Sequence, residues 1–132
     1  MLTALARFTL LVEDYDEALL FYVDKLGFEV LIDTRLAEDI RFVHVGIPGQ
    51  EGIGIWFIRA TTDAQRARVG RQTDGEPCFV LYTDDCRQAY QELRSRGVQF
   101  LREPEEHPGE IVAHFRDLYG NIVVLVELQA GT

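Results

Sequence analysis

The chain has 132 residues, 47% hydrophobic and 27% charged, a composition that fits one globular domain and excludes a disordered or fibrous protein. Its formal charge of −9 excludes the usual chemistry of nucleic-acid binding and of docking on an anionic membrane, since both rely on clustered Lys and Arg. Two cysteines, Cys78 and Cys86, do not make a secreted disulfide scaffold; the N-terminus lacks a signal peptide's basic region, and no apolar run would span a bilayer, so the cytoplasm is expected.

In chain order, a β-rich run from Phe8 is cut by Glu13-Asp14, carboxylates suited to the N-terminal end of a helix. Ala18, Phe21 and Tyr22 then form an apolar stripe at helical spacing. Gly27 stands where a left-handed residue would end that helix. After the FEVL strand, RFVHVG (41–46) and GIGIWFI (52–58) read as two more strands, the second entered through a glycine turn. Residues 60–75 are polar and lack an apolar stripe, which predicts a linker with one exposed helical turn.

From Phe79 the pattern returns. Phe8 matches Phe79, Leu10 matches Leu81, Asp14 matches Asp85 and Ala18 matches Ala89. With one residue deleted from the second segment, Gly27 matches Gly97 and Leu31 matches Leu101. Cys86, Ala89, Tyr90 and Leu93 repeat the stripe; residues 103–110, with two prolines, predict a surface loop. IVAHFR (111–116) and GNIVVLV (120–126) close the chain, with His114 at the place of His44. Each half therefore reads strand–helix–strand–strand–strand, an internal repeat with modules at about 5–60 and 76–128 around a linker at about 61–75.

LLVEDYDEALLFYVDKLGFEV (10–30), TDDC (83–86) and FRDLYGNIVVLVE (115–127) resemble the vicinal-oxygen-chelate superfamily of glyoxalases, bleomycin-resistance proteins and extradiol dioxygenases. The resemblance implies an α+β fold in which two tandem βαβββ modules form a cup-shaped mixed sheet with helices outside. In the metal enzymes of that family, four cup-facing side chains hold one divalent ion. The matching positions here are Arg7, Trp56, Cys78 and Val124. A cation, an indole and an isopropyl group offer no suitable lone pair, and one thiol does not hold a divalent ion. No cofactor is therefore expected.

Strand alternation extends these positions to a cup-facing set. The ligand-binding residues expected from it are Arg7, Thr9, Phe42, His44, Trp56, Cys78, Tyr82, His114 and Val124. Apolar walls with a few polar points predict a small apolar or aromatic ligand, with Arg7 anchoring an acidic group. Blander roles stand beside these: Arg7 with its head in solvent, satisfied histidines, Cys78 as a small buried hydrophobe, Trp56 and Tyr82 as core or dimer contacts. Three functions compete. The first is a metal-independent small-molecule-binding protein, for which the resemblance implies a homodimer. The second is an enzyme of glyoxalase lyase/isomerase or extradiol dioxygenase type. It would use an unusual metal site, or His44 or His114 as a metal-free catalytic base. The third is a pure interaction module.

Overall fold

The computed structural model describes residues 1–130, which form two compact units, one ending at Val69 and one starting at Gly70. The first unit contains β1 (Arg7–Val12), α1 (Tyr15–Leu19), which continues into a π-helical turn (Leu20–Lys25), β2 (Glu29–Ala37), β3 (Ile40–Gly46), β4 (Gly54–Arg59) and α2 (Asp63–Arg68). Its four strands lie in the order β1-β4-β3-β2, with β1 and β4 parallel and the other pairs antiparallel. The second unit contains β5 (Pro77–Tyr82), α3 (Cys86–Ser95), β6 (Gln99–Phe100), β7 (Glu105–His107), β8 (Glu110–Arg116) and β9 (Ile122–Leu128). It repeats the plan as β5-β9-β8-β6, with β5 and β9 parallel and the short β7 also paired to β8. Both are open mixed sheets, the α+β architecture the sequence predicts.

The capping aspartates act as their chemistry requires. Asp14 Oδ1 accepts from the Glu17 N–H at 3.1 Å, and Asp85 Oδ1 accepts from the Gln88 N–H at 3.0 Å. At the other end, Gly27 and Gly97 have φ of 87° and 89°, and the next residue's N–H turns back onto the helix, Phe28 to the Tyr22 carbonyl and Val98 to the Leu93 carbonyl. The π-helical turn was not expected. Between cap and glycine the first segment is one residue longer than the second, and an i→i−5 bond from Leu26 N–H to the Phe21 carbonyl absorbs the extra residue. Phe21 and Tyr22 stay buried as a result.

The helix-facing side of the first sheet is Leu10, Val12, Val43, Val45, Ile55 and Phe57, all buried. Tyr22 packs edge-on to Phe28 at 5.4 Å and tilted on Phe57 at 5.3 Å. Rings buried to this degree contribute about 3–5 kcal/mol each against truncation to Ala. In the second unit Ile111, Ala113, Phe115, Val123 and Leu125 take the same role beneath Cys86 and Leu93.

The exposed helical turn expected in the polar linker is present, and the segment read as a loop is more ordered than its composition suggested. The 60–75 stretch holds α2, fixed by a capping box in which Thr62 and Gln65 bond reciprocally. The 103–110 segment, read as a loop from its prolines, carries β7 as an edge strand, because Pro104 and Pro108 flank rather than interrupt its ladder. Among the described residues no helix is long and apolar enough to cross a membrane.

Candidate binding face of the first sheet

The face of the first sheet turned away from α1 carries Arg7 and Thr9 from β1, Phe42 and His44 from β3, and Trp56 from β4. Register fixes their grouping: Arg7 lies beside Gly54, Thr9 beside Trp56, and His44 directly opposite Trp56. The Trp56 ring tilts against His44 with centroids 5.4 Å apart and against Phe42 at 6.4 Å. The result is an aromatic wall whose outer member, Phe42, is exposed.

The polar centre of this wall joins two strands. Arg7 Nε donates to His44 Nδ1 at 2.9 Å, and Arg7 Nη1 donates to the Ala6 carbonyl at 2.7 Å. Burial holds the His44 imidazole below the usual histidine pKa, and the Arg7 charge pushes it the same way. A neutral ring is the consequence.

Sequence reasoning missed the contribution of β2. A register shift between Val30 and Ile32 makes Leu31 a bulge residue. A Cβ added at Gly54 would lie 2.7 Å from Leu31 Cδ1, and one added at Gly46 would lie 2.9 Å from the same atom. These two glycines let Leu31 settle over β3 and β4 next to Arg7. Ile32, opposite His44 in the ladder, continues the apolar surface. The signal was a pair of glycines in the strands, which mark close approach as often as turns.

In the second unit His114 lies opposite Val124, and Val124 beside Val80, the same register as His44, Trp56 and Thr9. His114 is half-buried, and burial with the Arg102 charge lowers its pKa, against a smaller upward push from Glu105. Cys78 is half-buried; burial pushes its thiol up and the Asp117 carboxylate adds to this, so it is held as S–H. Tyr82 is 74% exposed. Asp117 serves the turn before β9: its Oδ1 accepts from the Tyr119, Gly120 and Asn121 N–H groups, and its Oδ2 from the Asn121 amide.

The donors do not suit a divalent ion. Arg7 is a cation that donates to His44, Trp56 and Val124 have no lone pair to give, and Cys78 is a single thiol, which does not hold a divalent ion by itself. Among the described residues no three His, Cys, Asp or Glu side chains are grouped as a metal would need. A separate crevice of the first unit, at the ends of β2 and β3, is already filled with charge. There Arg41 pairs with both oxygens of Asp33 at 2.9 Å and with Asp16 at 3.0 Å, stacked over the Tyr15 ring.

Comparison with known proteins gives the same frame. A family model described as "Glyoxalase/Bleomycin resistance protein/Dioxygenase superfamily" matches residues 4–125. An uncharacterized protein of Shewanella frigidimarina (strain NCIMB 400) is 40% identical over 129 residues, covering 97% of this chain and 96% of its own. The crystal structure of UcmS2 superposes with a TM-score of 0.83 at 30% identity, over 96% of this chain and 98% of that one. TnmS3, an antibiotic binding protein from Streptomyces sp. CB03234, shares the fold with a TM-score of 0.79 at 24% identity, over 97% and 98% of the two chains.

Proposed function

The chain belongs to the glyoxalase/bleomycin resistance protein/dioxygenase superfamily, and from that premise we propose that it binds a small aromatic or apolar compound bearing an acidic group, without a divalent metal. The observation that carries this reading is the Arg7–His44 bond beside Trp56. At a position that the resemblance assigns to a metal ligand, this chain has a guanidinium held by His44 from two strands away, across β4. A guanidinium has N–H groups enough to hold His44 and Ala6 and still meet a carboxylate. Trp56 and Phe42 supply the flat apolar contact that orients an aromatic ring.

A fold shared with an antibiotic binding protein is consistent with this use of the sheet face. Thr9 is a further proposed contact on this face; on the second unit's own sheet Cys78, Tyr82, His114 and Val124 are proposed ligand contacts, of which Cys78 and Val124 act as apolar surface. The occupied assembly is proposed to be a homodimer.

Trp56 is the single tryptophan, so its fluorescence reports on the wall alone. Titration with fluorene carboxylate is expected to quench it in a saturable way, and Arg7→Ala is expected to weaken binding about tenfold or more. Unchanged affinity in Arg7→Ala would remove Arg7 as the anchor.

A further inference from the structure

We propose that His44 is a hydrogen-bond donor to the ligand, a neutral imidazole locked by Arg7 in its Nε2–H form that reads a carbonyl-type acceptor on a flat ring lying against Trp56. The inference rests on the binding reading above and adds to it the chemistry of the compound.

The lock follows from what a guanidinium can do. Every polar hydrogen-bonding atom of Arg is a donor, so the ring nitrogen 2.9 Å from Arg7 Nε must offer a lone pair. That nitrogen is Nδ1. A neutral imidazole carries one proton, which is therefore on Nε2. His44 Nε2 is buried and has no hydrogen-bond partner among the described residues. Around it on the sheet, Trp56 lies opposite on β4 with its ring against the imidazole, and Ile32 is its ladder partner on β2. A buried N–H without an acceptor is costly and uncommon in native proteins, and a side-chain movement that opens Nε2 to a ligand oxygen would relieve that cost.

The lock also sets what His44 does not do. With Nδ1 occupied by Arg7 and Nε2 already protonated, the ring has no lone pair for a substrate proton or a metal. The role is that of a specificity-determining donor. An acceptor on the ligand gains a bond that a hydrocarbon of the same shape cannot make.

Fluorenone carboxylate and fluorene carboxylate have the same three-ring skeleton and differ in one ring carbonyl. Isothermal titration of the full chain is expected to give the fluorenone an affinity roughly threefold to tenfold higher. His44→Phe should bring the two to equal affinity, whereas His44→Gln, which keeps an N–H near the ε position, should retain a preference. Equal binding of both compounds by the unaltered protein overturns the donor role and leaves the aromatic binding face standing. Failure of both to bind overturns the binding face and the donor role with it. Independently of any variant's folding, long-range proton–nitrogen correlation spectra of the imidazoles read the tautomer directly. With three histidines in the chain the assignment is tractable. An Nε2–H pattern for His44 is the expected result, and an Nδ1–H pattern contradicts the proposal.

Discussion

Strand alternation was enough to put Arg7, His44 and Trp56 on one face, because period-two patterning needs no tertiary information. The bond between Arg7 and His44 was not legible: the two residues are 37 positions apart, and it takes the pairing of β4 with both β1 and β3 to bring them together. Burial of the two imidazoles, more than the charges beside them, has a consequence for stability. His44 and His114 titrate below their ordinary value in the folded chain, so the unfolded chain takes up protons first as pH falls. The stabilisation is complete above pH ~6.5 and is lost on acidification from there down through the folded-state values. Asp33, held low by its Arg41 bond, behaves the same way further down, with stability lost below the usual carboxylate range. Urea midpoints are therefore expected to fall between pH 7.5 and pH 5, and His44→Phe should flatten part of that slope. A midpoint independent of pH in the unaltered chain would contradict the lowered titration of both rings.

At the scale of elements, caps and stops were legible because Asp14, Asp85, Gly27 and Gly97 have local chemistry that a short window reveals. The π-helical turn and the Leu31 bulge were not, since each is a one-residue adjustment that keeps a buried face in register. The glycines under Leu31 make that adjustment testable. A methyl at Gly54 meets the Val45 carbonyl oxygen at 2.7 Å as well as Leu31, and backbone does not move aside. Gly54→Ala is expected to cost about 2 kcal/mol in urea unfolding. Gly46→Ala meets the Leu31 side-chain tip first, so it should cost less and be largely relieved by Leu31→Ala. Relief of Gly54→Ala by Leu31→Ala to the same extent would mean that β3 and β4 are less closely paired than described. Gly27→Ala, at φ 87°, is expected to lose about 1 kcal/mol through left-handed strain alone.

At the scale of the whole molecule, the family and its α+β fold were legible from three sequence stretches, and the ligand was not, since a fold of this kind hosts many chemistries. All nine residues of β2 are exposed, as are Val80, Tyr82 and Leu128 of the second unit. Apolar surface on that scale suits coverage by a second copy, and sedimentation equilibrium is expected to give a dimer at micromolar concentration. A monomer throughout would assign those residues to solvent or ligand instead.

The central claim is that an Arg-anchored aromatic face has replaced the family's chelate. Plasma mass spectrometry of untagged protein, before and after incubation with iron, zinc, nickel and manganese, addresses it most directly. Well under one ion per chain in every case is the result this account predicts. About one tightly held ion per chain would contradict it.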